Sequence, residues 1–264
     1  KSILASSSIF KSIGVIYPFN KQRSSVTHIF YLFKISIIFI FLNIVGTPTL
    51  TADIHKLPLI DTNPFELYGD QIIFDVVREG KRVGTHVVDF QGGPNDLFVT
   101  SKFSLKIDIL FINAYSFEYS SKANWKEGTL HDLSVLVDDN GEKFSLEAKK
   151  RSKYLTVSNG QERFQVPLPI YPTNHWNAGV LGQNKVLNTL TGELNNVEII
   201  EKGYEMIETG QGKVKAMRYA YTGDLETEIW YDDKKRWVGM EFVGSDGSLI
   251  KYLCQKCSPV SLGK

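Results

Sequence analysis

The sequence predicts an all-β protein: an antiparallel meander curled into an open or closed β-barrel or roll, with one short helix in the loop at residues 167–192. Three observations carry this prediction. Beyond Asp53, apolar and polar residues alternate with period two through most of the chain, the mark of strands with one buried and one wet face. Turn dipeptides rich in glycine separate these runs at close spacing, so consecutive strands are expected to pair as hairpins. No stretch of ten or more residues after Ala52 carries apolar residues at helical spacing, which removes parallel architectures built on strand–helix–strand units.

In chain order, residues 1–52 read as a leader. They hold Lys1, Lys11, Lys21, Arg23 and Lys34 and no Asp or Glu. Ile35 to Val45 is an apolar core, preceded by Lys34 and followed by Gly46, Pro48, Thr51 and Ala52, the order of a secretory signal peptide. Cleavage is expected after Ala52. The apolar run is short against the roughly 20 residues of a bilayer span. Periplasmic or secreted localisation is therefore expected; the alternatives are a transit peptide and an uncleaved segment that anchors the chain to a membrane. Residues 53–71 read as a linker, 72–254 as a single β-rich domain and 255–264 as a C-terminal tail. Without the leader, the 30 bases fall to 25 against 29 acids, a net charge of −4. With the signs interspersed, nucleic acid is not an expected partner.

Within the domain, Phe103, Leu105, Ile107 and Ile109 alternate with Lys102, Ser104, Lys106 and Asp108. The same alternation returns in Tyr115, Phe117 and Tyr119, and in Leu225, Thr227, Ile229 and Tyr231. Asp139-Asn140-Gly141, Ser158-Asn159-Gly160 and Ser245-Asp246-Gly247 mark turns, since Asn and Gly accept the positive φ that tight hairpins need. Gly210-x-Gly212-Lys213 reads as another hairpin turn rather than a phosphate loop. Pro167, Pro169 and Pro172 break the pattern, because proline cannot donate to a ladder. Thr173 or Asn174 is the expected cap of a short helix running to about Leu181.

The search for chemistry is mostly negative. His55, His86, His131 and His175 lie at no metal-ligand spacing, and no cofactor or metal is expected. Asp138-Asp139 and Asp232-Asp233 read as solvated turns. Cys254-x-x-Cys257 reads as a small disulfide rather than a redox pair, because the segment with Pro259 and Gly263 leaves no helix to lower a thiol pKa. For the two to pair, the strand from Leu249 is expected to break into a turn near Cys254. His175-Trp176-Asn177 joins a polar ring, an aromatic plate and an amide on one loop. It reads either as a ligand entrance or as a lid that packs the end of the sheet. Trp230-Tyr231 carries the same two readings.

Taken in order, FDVVREGKRVGTH from Phe74, LFINAYSFEY, NWKEGTL, VDDNG, PTNHWN, LNTLTG and GDLETEIWYDDKKRWVGMEF resemble a family of exported bacterial proteins catalogued as domain of unknown function 6134. The resemblance runs from about Ile72 to Tyr252. It implies a signal peptide and one β-rich domain, and no activity. The leader and Cys254-x-x-Cys257 are not parts of that pattern.

The functional expectation is a binding or carrier module for a lipid or other apolar or amphiphilic ligand, by analogy with rolled sheets that enclose a cavity. Its ligand-binding candidates are His175, Trp176, Asn177, Trp230 and Tyr231, with Trp176 bordering a cavity lined by Phe103, Leu105, Phe117 and Ile229. The alternative is a structural or interaction protein of the cell envelope with a filled core. A hydrolase using His175 stands third, and no residue is assigned as catalytic.

Overall fold

The structure is a computed structural model and describes residues 63–109 and 112–259. The expected leader and signal peptide, the first part of the expected linker and the last residues of the tail lie outside the described residues. One sheet of fourteen antiparallel strands dominates. The first eight are β1 (Gln71–Arg78), β2 (Lys81–Gly93), β3 (Asp96–Ile109), β4 (Ile112–Lys126), β5 (Thr129–Asp139), β6 (Glu142–Arg151), β7 (Tyr154–Ser158) and β8 (Arg163–Pro167). The other six are β9 (Lys185–Leu187), β10 (Leu194–Thr209), β11 (Gly212–Gly223), β12 (Thr227–Asp232), β13 (Trp237–Val243) and β14 (Leu249–Lys256).

Each strand pairs with its sequence neighbour except at one place. Spatially the order is β8-β7-β6-β5-β4-β3-β2-β1-β14-β13-β12-β11-β10-β9. The two meanders thus join through β1 and β14, with Val76 opposite Tyr252 and Arg78 opposite Ile250. The break between β8 and β9 falls on the proline-rich segment, as the missing donors require. Turn chemistry sets the register elsewhere. Asn140 and Gly141 both take positive φ, 53° and 97°, and turn β5 tightly into β6.

The sheet curls over its inner face but is not closed by hydrogen bonds, β8 and β9 remaining as edges. Side chains bring the ends of the curl together. A Cβ on Gly192, just before β10, would lie 2.7 Å from Asn159 Cβ and 2.9 Å from Leu146 Cδ1. Only a glycine lets that segment ride so close to β6 and the turn after β7. Phe103, Leu105, Ile107, Tyr115, Phe117 and Tyr119 all point into the curl and are buried, following the alternation of β3 and β4.

On β12 the face expected to be wet is covered, Trp230 being buried as well as the inward Ile229 and Tyr231, and in β13 Trp237, Val238 and Met240 are all buried. The cause is the long β10–β11 hairpin. A bulge between Glu201 and Gly203, with Gly203 at φ 110°, bends it back over the outer face. Ile207 Cδ1 would lie 3.2 Å from a Cβ on Gly239, Glu205 accepts a hydrogen bond from Trp230 Nε1, and Gly210 N–H donates to the Cys254 carbonyl at 2.7 Å.

Three local expectations are corrected. The short helix of the 167–192 loop is a 3-10 turn at Ala178–Gly182 capped by Asn177, not a helix capped by Thr173 or Asn174. In the segment read as a linker, α1 (Pro64–Tyr68) forms behind the Asn63 cap with proline at its first position, and Tyr68 is fully buried. The strand carrying Cys254 runs on to Lys256 rather than breaking. Phe74 pairs with Cys254 and Ile73 with Lys256, so Gln255 is an extra residue. This bulge turns Cys254 and Cys257 to one side, and they form a disulfide with Cα atoms 6.1 Å apart.

Candidate functional site

The segment between β8 and β9 lies across one end of the curl and is clamped by tyrosines from separate elements. Tyr68 Oη, from α1, donates to the Trp176 carbonyl at 2.8 Å and accepts from Trp237 N–H at 2.9 Å. Tyr231 Oη, from β12, donates to the His175 carbonyl at 2.7 Å. Tyr119 Oη, from β4, donates to Asn174 Oδ1 at 3.0 Å. These three bonds satisfy backbone and amide groups that the loop cannot pair internally. His175 adopts a left-handed φ of 53°, so the chain changes direction there and neighbouring side chains go to different places.

His175 points to the inside. Its ring stands 5.8 Å from Trp237 and 5.7 Å from Tyr221, and Trp237 in turn lies 5.5 Å from His86. His86 Nε2 is 2.6 Å from Ser101 Oγ. Among the described residues, His86 Nδ1, His175 Nδ1 and Tyr221 Oη are buried without a hydrogen-bond partner. Loss of water drives both imidazoles down to about 3, with His86 adding a small repulsion on His175. Burial also raises the Tyr68, Tyr221, Tyr231 and Tyr252 phenols. The room beside this cluster, among Phe103, Phe117, His175, Leu225 and Met240, is about 60 Å³.

Trp176 and Asn177 face the other way. Trp176 packs at 5.6 Å against Trp125, itself 5.9 Å from Tyr171. Together these residues wall an open cleft of about 560 Å³ whose rim includes Glu127, Thr129, Lys150 and Lys153. Asn177 Oδ1 is used up by Gly179 N–H at 2.9 Å. Trp125 Nε1 is buried with no acceptor among the described residues. A wider depression of about 870 Å³ lies over the outer face of β2–β6. Across strands, Glu118 accepts from Ser104 and Asp138 pairs with Lys143, and the depression reads as a solvated sheet face.

The five predicted ligand residues are therefore divided. His175 and Tyr231 meet in the interior, Trp176 and Asn177 border the cleft, and Trp230 sits on the opposite face of β12 beneath the β10–β11 hairpin. Phe103 and Phe117 line the small void, but Trp176 does not. Asp232, read as a solvated turn residue, is buried. It accepts from Lys234 N–H and Arg236 N–H and pairs with the Arg236 guanidinium at 2.5–2.6 Å, holding the turn into β13.

A family profile described as Domain of unknown function (DUF6134) matches residues 74–255. The chain belongs to this family. No curated protein matches it in sequence. Among solved structures, the crystal structure of a beta-barrel-like protein of domain of unknown function DUF1849 from Brucella abortus is similar, with a TM-score of 0.51 at 12% identity over 70% of this chain and 95% of that one. At that identity the likeness is one of fold, and it agrees with the rolled sheet. The DUF6134 match runs from β1 to β14 and includes the walls of both the small void and the cleft.

Several residues of this DUF6134 domain's candidate sites carry no mark of a site in the sequence, although His86 and Trp125 fall inside two of the motifs that carry the family resemblance. His86 and Trp125 occupy ordinary strand positions, and Lys150 and Lys153 read as exposed charge near a turn. Only the loop that crosses above them stood out, through its prolines.

Proposed function

We propose that this chain is an exported, non-catalytic binding protein of the cell envelope that takes a small ligand in the cleft beside Trp176 rather than inside the roll. The observation that carries this reading is the contrast in room. The inner space of about 60 Å³ falls well short of the roughly 300–1,000 Å³ of ordinary ligand pockets, whereas the cleft offers about 560 Å³ with aromatic walls and a few polar groups. Export is supported by the acid-free leader and the apolar run at residues 35–45.

The competing reading is a structural or interaction protein, favoured by a core in which the Tyr252 ring meets those of Phe74, Phe103 and Trp237, and Phe74 meets Trp237. The hydrolase reading is weakened by His175 itself. An imidazole held at about 3 is far from the pKa near neutrality that general acid–base work favours.

Native mass spectrometry of protein purified from its own cells tests the proposal. A small-molecule adduct is expected, and it should disappear when the cleft is filled by Thr129→Trp. N-terminal sequencing of the same material should begin near Asp53. Adduct-free protein, or an adduct that survives Thr129→Trp, would favour the filled-core reading; an intact leader on soluble protein would overturn export.

A further inference from the structure

The cleft is unbalanced in its charge, with two lysines against one carboxylate in its lining. Lys143, Lys213, Lys251 and Lys256 each stand 2.7–3.8 Å from a carboxylate. Lys150 and Lys153, on the cleft rim, make no such pair among the described residues. Lys150 Nζ instead lies 3.0 Å from His131 Nε2, donating to a neutral ring. Burial, with Lys150 and Lys126 adding repulsion, holds the His131 pKa below its usual value. The Trp125 indole N–H is buried and unpartnered. Asn177 has spent its carbonyl on Gly179, which leaves its amide hydrogens as the free part of the group. Among the lining residues only Glu127 brings an opposing carboxylate. Two ammonium groups and an amide NH₂ thus line the cleft against one carboxylate, which leaves its rim net positive, while the Trp125 indole N–H lies buried in its wall. Much of the remaining wall is apolar: Leu97, Leu168, Pro169, Tyr171 and Trp176.

We propose that the ligand of the cleft is an amphiphilic organic anion, its charged head at Lys150 and Lys153 and its apolar body against Leu168, Pro169, Tyr171 and Trp176. This rests on the cleft being a binding site at all. A carboxylate or a phosphate head would supply the acceptors the donors lack, and hydrogen bonds between charged groups are the strong ones. A buried indole N–H without a partner is unfavourable in the empty protein, so an acceptor that reaches it removes that penalty on binding.

The test titrates the ¹⁵N-labelled full chain with octanoate, octyl phosphate and 1-octanol, following the Trp125 indole and Asn177 amide resonances. The two anions share a chain length with the neutral alcohol, so the head alone distinguishes them, and the tighter anion identifies a carboxylate or phosphate head. At least one anion should shift both resonances and bind about ten-fold more tightly than octanol. Lys150→Met with Lys153→Met should weaken that anion about ten-fold, as expected for loss of charged hydrogen bonds, and leave octanol unchanged. Both lysines are on the rim, and well-dispersed spectra would show that the variant folds. If octanol matches the anions at these resonances and the double variant binds as before, the anionic head is wrong while the cleft stands. If none of the three moves either resonance at millimolar concentration, the cleft reading falls as well.

Discussion

Two buried imidazoles set the acid sensitivity of the molecule. His86 and His175 are held near 3 by burial, while an unfolded chain titrates them near 6.5. Above that value both states carry neutral rings and stability does not depend on them. As pH falls below about 6.5 the unfolded chain takes up protons that the folded chain refuses until about pH 3, so stability declines across this window. At pH 5 the loss is on the order of 2 kcal/mol for each histidine. Asp70, Asp224 and Asp246, whose pKa values are lowered, act only at lower pH, below their unfolded values near 3.8. Denaturant unfolding at pH 7.5 and pH 5 should therefore show a steep loss in the natural chain and about half that loss in His86→Gln. An equal loss in both would mean that His86 is not buried neutral. The sequence singled out His175 but not His86. A histidine in a period-two strand looks like any other position, and only the curl brings it to Trp237. It also grouped His175 with Trp176 and Asn177, because adjacency along the chain is visible while a left-handed φ that sends neighbours to opposite sides is not.

Among the elements, β14 shows how one extra residue redirects a strand. The bulge at Gln255 brings Cys254 and Cys257 to the same side and presents the Cys254 carbonyl to Gly210 at the tip of the β10–β11 hairpin. The disulfide spans so few residues that it removes little freedom from the unfolded chain, and its worth falls at the low end of the roughly 0–5 kcal/mol range. Replacing both cysteines with alanine should lower stability by less than about 2 kcal/mol and leave the denaturant slope unchanged. Aggregation or a loss beyond that would show that the bulge, and the hairpin resting on it, depend on the crosslink. The pairing partner of each hairpin was legible from alternation and turn residues. The bend of β10 was not, although Gly203 inside a strand pattern is the kind of signal that marks a bulge. Without it, the alternation of β12 reads as a half-wet strand, when in fact the folded-over hairpin covers its outer face.

At the scale of the whole molecule, the meander and its interruption by prolines were readable, but the meeting of β1 with β14 was not, since pairing between remote strands leaves no local pattern. That meeting means the strands form a run of neighbours whose spatial order is the sequence order started at a different point. A chain beginning near Gln183, running through β14, crossing by a short linker to α1 and β1 and ending on the loop after β8 would pair every strand with its immediate successor. The crossing is short: a Cβ on Gly69 would lie 3.6 Å from Pro259 Cα. The natural chain must instead close a loop nearly as long as the domain before β1 and β14 can pair. Closure entropy grows with that length, and folding slows as contacts become more remote in sequence. The rearranged chain should reach the same sheet with similar stability and refold faster in stopped-flow measurements. Refolding no faster than the natural chain would place the slow step elsewhere, in the hairpins themselves. The order in which these strands are strung is thus a kinetic property of the protein, separable from the contacts that hold it together.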